Sequence, residues 1–288
     1  MISWPTSLVE DIARRRAILF LGAGVSRNSL CRHGNKRPPM WDEFLKNAIA
    51  TCPAPTRHIS TLINRNNYLT ACEILKCKMD DEWLRYVHQE FVTPGFAPAT
   101  IHELIFKLDL RIVLTQNVDK IYDTYAQNES NGTVLTKLYY DDDVAHFVRG
   151  DKQCIIKAHG TVDSPENMIF TRNDYAKARY KHAGFYALMD GLAATNTFLF
   201  LGCGLNDPDV QIMLEKYNQL FALGRPHYMV SSKQAVHQDI RDSARRNMNL
   251  KTLAYNPKDF HKELGDSLES LVCLVESQRT EFAGNISW

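Results

Sequence analysis

Four short runs in this chain hold the residue types that can do chemistry together. The first is Gly22-Ala23-Gly24 with Ser26 and Arg27 just beyond it, directly after the apolar run Ala17–Leu21. Backbone bared at two glycines can turn sharply and lie against a ligand. With a hydroxyl and a fixed cation beside it, the run has the make-up of a phosphate cradle at a strand end. The second, Thr115-Gln116-Asn117-Val118-Asp119, offers amides that donate and accept at once, so they can fix a water or a sugar hydroxyl without adding charge. The third, His159-Gly160, offers an imidazole able to take a proton near neutrality. The fourth is Gly202-Cys203-Gly204-Leu205-Asn206-Asp207-Pro208-Asp209, which repeats the pattern of glycines after a buried strand.

Each run also has a plain structural reading. Gly-Ala-Gly is a tight turn with or without a ligand, and Asn117 and Asp207 suit helix N-caps. Asp119 suits the first turn of a helix, and a histidine before glycine suits a turn. What favours chemistry is convergence, because the elements around the runs place all four on one rim. Ala17–Leu21, Arg111–Thr115, Gln153–Ala158 and Thr197–Leu201 read as buried strands, followed by strands at 226–231 and 249–254. Helices are expected at 5–15, 101–108, 118–126, 182–195, after Asp207 with Pro208 at its first position, at 234–245 and from Lys258 to about Ser277. Segment 133–152 is less regular and carries Asp141-Asp142-Asp143, and 168–180 is irregular to helical. About six strands alternating with helices make an α/β fold, a doubly wound Rossmann-like parallel sheet, whose ligands bind outside the carboxyl ends of its strands. Between Trp41 and about Glu90 the apolar residues recur only at helical spacing, so a helical module is inserted at about 33–98 in one domain spanning 1–288. The turn-rich basic stretch 31–39 leads into it as a mobile loop.

Composition narrows the classes. The formal net charge is +1, so no global field draws the chain to nucleic acid. No apolar run approaches the roughly 18 residues that cross a bilayer, and Met1–Arg16 lacks an apolar signal core. The seven cysteines include no C-x-x-C pair, so neither a zinc ribbon nor a dithiol motif is written here and no metal is expected. A reduced, cytoplasmic protein is the expectation. Hydride transfer fits poorly: the third fingerprint glycine would fall on Arg27, and no strand about 20 residues on carries a ribose-binding acid.

The runs Gly-Ala-Gly-Val-Ser at 22–26, Thr-Gln-Asn-Val-Asp at 115–119 and His-Gly at 159–160, in this order, resemble the sirtuin family across roughly 17–255. That resemblance implies NAD as substrate and cleavage of its nicotinamide–ribose bond. By matching positions it implies that Ala23, Gly24 and Ser26 meet the phosphates. Gln116, Asn117 and Asp119 would line the nicotinamide and ribose pocket, His159 would be the base, and Gly202 to Leu205, with Gly204 between them, would lie by the adenosine half; Gly22, Arg27 and Asp207 are counted with the cofactor-binding residues. The four zinc cysteines of the deacylases are absent from 160–195, and the Pro-Asp-Phe-Arg toward which their first glycine run continues is absent after 22–26. The forms at 202–209 and Pro38–Trp41 look instead like the sirtuin-like NAD hydrolases of bacterial anti-phage systems, some of which act beside a HerA-type ATPase. Protein deacylation, ADP-ribosyl transfer and nucleotide sensing without turnover are the competing readings.

In this reading Asn117 and His159 are the catalytic pair. An enzyme that empties a cell of NAD must be restrained, which points to a homo-oligomer built through aromatic surface of the helical module and to the loop Gly34–Pro39 closing over the dinucleotide. With no cysteine cluster to hold a metal, purified protein should carry no stoichiometric zinc by elemental analysis and should leave acetyl-lysine peptides unprocessed. One zinc per chain would contradict this.

Overall fold

The computed structural model describes residues 1–205 and 207–284; Asn206 of the fourth run lies outside the described residues. The chain begins α1 (Thr6–Ala13), β1 (Ala17–Leu21), α2 (Ala23–Ser26) and β2 (Leu30–Cys31). The helical module follows as α3 (Trp41–Thr51), α4 (Arg57–Asn64), α5 (Tyr68–Met79) and α6 (Asp81–Phe91), and β3 (Phe96–Ala97) closes it. Then come α7 (Thr100–Lys107), β4 (Ile112–Thr115), α8 (Ile121–Glu129), β5 (Leu135–Leu138), α9 (Val144–Arg149) and β6 (Cys154–Lys157). The last part is α10 (Arg172–Lys181), α11 (Ala183–Thr195), β7 (Thr197–Leu201), α12 (Pro208–Leu220), β8 (His227–Ser232), α13 (Gln238–Met248), β9 (Leu250–Tyr255) and α14 (Lys258–Gly284).

Seven strands form one sheet in the order β5-β6-β4-β1-β7-β8-β9, every neighbouring pair parallel. The strand order reverses at β1, where chain traced outward through β4 and β6 returns as β7 on the other side. A crevice opens at such a switch point. β1 and β7 are buried along their whole length because helices cover both faces. Alternation then sorts the side chains: Leu19 and Leu21 enter a core shared with α1, α7 and α14, whereas Ile18 and Phe20 enter the opposite core with α10 to α13.

The secondary structure departs from the sequence reading at several points, the short strands β2 and β3 among them. Segment 133–152 holds a strand, β5, and a short helix, α9. Leu135-Thr136-Lys137-Leu138 is a half-buried edge strand, too short and too mixed to announce itself by pattern. The helix after the second run starts at Ile121, because Val118 and Asp119 are taken into a turn. At the far end, Asp259, Phe260 and His261 adopt left-handed backbone, so the last helix is not regular from its first residue.

The inserted helices share a core of their own, with Phe44 and Trp83 at its centre and Phe170 reaching in from beyond β6. β2 and β3 pair antiparallel and bring the two ends of the insertion together. Of the module aromatics, Phe44, Trp83 and Tyr86 are buried among one another and Phe170, so these three offer no oligomer surface, while Trp41 and Tyr68 are half-buried and line the cleft. The loop 34–39 is tied down as well. Lys36 pairs with Glu90 at 2.9 Å, and Arg37 donates to the main-chain oxygens of Arg27 and Asn28 at 3.1 and 2.9 Å. Among the described residues no helix is long and apolar enough to cross a membrane, and no group of three or more His, Cys, Asp or Glu is arranged to hold a metal ion.

His227, at the start of β8, is buried with Nδ1 accepting the Phe198 N–H at 3.1 Å and Nε2 without a partner. Burial pushes its pKa down to about 4, while the unfolded imidazole titrates near 6.5. Between these values the unfolded chain binds the extra proton, so stability is lost as pH falls from about 6.5 to about 4. The loss should reach about 3 kcal/mol. Denaturant melts at successive pH should show it, and His227→Phe should remove this component while stranding the Phe198 N–H at every pH.

Candidate active site

The four runs do meet on one rim, around a cleft of about 650 Å³. Its floor is the switch point. Gly22 N–H donates to Leu201 O and Gly24 N–H to Gly202 O, both at 3.0 Å, so the two glycine turns lie backbone against backbone. Gly202 has a φ of +69° and a Cβ there would stand 2.5 Å from the Val25 nitrogen, so no other residue fits without moving the turn. The second run lies across this floor. Asn117 Nδ2 donates to Gly22 O and to Ser26 Oγ, each at 3.0 Å, and Ser26 Oγ donates to Asp119 Oδ2 at 2.8 Å. Asp119 Oδ1 accepts the Ile121 N–H at 3.0 Å, so Asp119, not Asn117, closes the turn before α8. Gln116 also lines the cleft, and its buried Nε2 finds no partner within the chain.

His159 enters from the end of β6. It is 7% exposed, yet its ring lines the cleft and its Nε2 has no hydrogen-bond partner. Nε2 lies 3.7 Å from Asp209 Oδ2 and 4.0 Å from Asp207 Oδ2. The Tyr175 ring meets it edge-on at a centroid distance of 5.2 Å. Asp207 is committed to α12 as its N-cap, accepting the N–H groups of Asp209 and Val210, while its other oxygen accepts the Tyr175 hydroxyl at 2.8 Å. Arg179 grips Asp209 through Nε and Nη2 at 2.8 and 2.5 Å. Burial pushes the Asp209 carboxyl up, but His159 and Arg179 outweigh it and hold the group below the ordinary carboxylate range.

Of the residues singled out by sequence, Gly22, Ala23, Ser26, Gln116, Asn117, Asp119, His159, Gly202, Gly204 and Asp207 line the cleft; Gly24, Arg27 and Leu205 do not. Gly24 is spent on the contact with Gly202. Leu205 packs onto the core beside α12. Arg27 turns away because Glu43 offers a two-pronged partner at 2.5 and 2.7 Å and the Pro38 carbonyl a third contact at 3.0 Å. The expected phosphate cation is thus a clasp between the first glycine turn and the helical module. The module supplies the opposite wall, including Met40, Trp41, Phe44 and Tyr68, with Phe170 beside them. Sequence reading did not place these rings in the site, because only the tertiary packing of the module, with Phe170 set among Trp41, Phe44 and Trp83, brings them to the cleft. It also passed over Tyr175 and Arg172, both cleft-lining, which carry no local signal.

Residues 111–253 match the family of SIR2-like domains. The chain is 27% identical over 137 residues to the NAD(+) hydrolase ThsA of Acinetobacter baumannii, covering 47% of this chain and 28% of that protein. It is 22% identical over 230 residues to the protein of the same name from Enterococcus faecium, covering 78% and 45%. Against the Defense-associated sirtuin 2 of Bacillus subtilis it is 26% identical over 219 residues, covering 74% and 20%. The chain therefore spans less than half the length of these curated relatives. A solved structure from work on the mechanism and regulation of Sir2 enzymes aligns over 95% of this chain and 97% of its own, at 14% identity and a TM-score of 0.46.

The backbone contact at the floor sets a stability test. Gly202→Ala should destabilise the protein by roughly 2 kcal/mol or more, from forced left-handed backbone and the clash with Val25 together. A melt unchanged from wild type would show that the two turns are not in contact.

Proposed function

We propose that this chain, SIR2-like over residues 111–253, cleaves the nicotinamide–ribose bond of NAD with water, giving nicotinamide and ADP-ribose. The observation that carries the reading is the junction of Asn117, Ser26 and Asp119 with the imidazole of His159, whose Nε2 has no hydrogen-bond partner, in one cleft at the sheet's switch point. The cleft volume suits a dinucleotide-sized ligand. The relatives named NAD(+) hydrolase support the same chemistry, and the one named a defence-associated sirtuin supports a role in defence.

Nicotinamide in NAD is a pyridinium, so breaking the C1′–N bond sends the electron pair to the ring and releases a neutral amine. No acid has to protonate the leaving group. The site has to stabilise an oxocarbenium-like sugar and bring water to its open face. Asn117 holds the ribose or the water through its amide, and Asp119 faces the carboxamide. His159 takes the proton as the water oxygen bonds to C1′. No metal enters this scheme. The glycine turns of β1 and β7 offer main-chain groups to the phosphates, and Arg172 is a cleft-lining cation.

Asn117→Ala and His159→Ala should each lower nicotinamide release by about 10²-fold or more, measured on variants whose circular dichroism matches wild type. Near-normal turnover in both would remove the assignment. Products resolved by chromatography should be nicotinamide and ADP-ribose in equal amounts.

A further inference from the structure

Lys157 is the one buried lysine or arginine among the described residues, at 1% exposure. It is the last residue of β6, two positions before His159, and the mechanism above leaves it unused. Its ammonium has two neighbours. Nζ donates to the main-chain oxygen of Asp119 at 2.5 Å and faces Asp123 Oδ2 at 3.4 Å. A lysine kept in the interior only to neutralise Asp123 would make its short contact there. The short contact goes to the carbonyl instead.

That carbonyl belongs to the turn carrying Asn117 and Asp119. The turn is pinned on the β1 side by Gln116 N–H on Leu21 O at 3.1 Å and by Asn117 on Gly22 O. On the β6 side it has Val162 N–H on Val118 O at 3.0 Å and Lys157 on Asp119 O. Without Lys157 a buried carbonyl has no donor, and the Asp119 peptide is free to rotate. Rotation there draws the Asp119 carboxylate from the Ser26 hydroxyl, and Ser26 is also the partner of Asn117.

We propose that Lys157 is a positioning residue for the cleavage of NAD: its ammonium holds the Asp119 carbonyl and so fixes Asn117 and Asp119 against Ser26, in register with the histidine two residues further along. This rests on the functional reading given above. The residue touches no reacting atom, so its loss acts on the rate once substrate is bound more than on binding itself.

Lys157→Met alone leaves Asp123 as a lone buried carboxylate and lowers stability for that reason, so the decisive variants neutralise Asp123 as well. Asp123→Asn keeps the ammonium on the carbonyl and should retain the wild-type kcat for nicotinamide release. Lys157→Met with Asp123→Asn removes both charges, should melt above Lys157→Met alone, and should lose about 10²-fold in kcat with KM little changed. A folded double variant with wild-type kcat overturns the proposal. So does a folded Asp123→Asn variant about 10²-fold below the wild-type kcat, since the ion pair would then be what matters; that arm is read against wild-type protein and needs no folded double variant. Absence of nicotinamide release from wild-type protein overturns the functional reading instead, which keeps the two failures apart.

Discussion

The site depends on the approach of two glycine turns at the centre of the sheet. β1 and β7 end side by side, and the 3.0 Å bonds from Gly22 and Gly24 to Leu201 and Gly202 lock the two turns together before any side chain is considered. Because Gly202 has no Cβ to keep them apart, the floor of the cleft is main chain. Main-chain atoms on buried parallel strands hardly move, since helices cover both faces and every rung is bonded. Asn117 takes its position from that floor through Gly22 O, and Ser26 takes its own from the short helix the turn begins.

A rigid floor does not make a closed site, and the module α3 to α6 supplies the other wall. Its hold on the sheet is mixed in kind. Phe170 inserts among Trp41, Phe44 and Trp83, and the Arg27–Glu43 pair joins the glycine turn to α3. The ring contacts carry most of the attachment, since both ends of the ion pair are more than a third exposed. The charged clasp contributes direction: Glu43 also accepts the Met40 N–H, so the residue that grips Arg27 fixes the start of α3 and aims Met40 and Trp41 at the cleft.

Much of this was legible in the chain, for definable reasons. Strands buried on both faces read as unbroken apolar runs, so β1, β4, β6 and β7 and the parallel order stand out, and the strand ends follow from them. The edge strand β5 did not, because half burial mixes Thr136 and Lys137 with its leucines. At the site, glycines and the Asn117–His159 pair announce themselves by type and spacing. Arg27 misled because a cation near a glycine turn reads as a phosphate ligand until the position of Glu43, sixteen residues on in a different element, is known. Lys157 was invisible for the same reason. Nothing in Cys154-Ile155-Ile156-Lys157 says that the lysine ends up inside, and only the register β4–β6 brings it beneath Asp119.

The distribution of charge follows one rule. Around Asn117 the groups nearest the floor are neutral hydrogen-bonders or already engaged: the Asp119 carboxylate is taken by Ser26 and by the Ile121 N–H. Of the full charges, Lys157 and Asp123 stand one layer back beneath the turn and Arg179 behind Asp209, while Arg172 lines the cleft. In the proposed reaction positive charge moves from the pyridinium ring to the sugar. An unengaged anion at the ring would hold the substrate as firmly as the transition state, which binds without accelerating. Fixed dipoles beside the sugar favour the later charge distribution, provided they need no reorganisation when it develops. Burying Lys157 to keep those dipoles still is costly in a protein interior. The chain meets that cost where the return is a turn that cannot relax, and among the described residues no other lysine or arginine is buried.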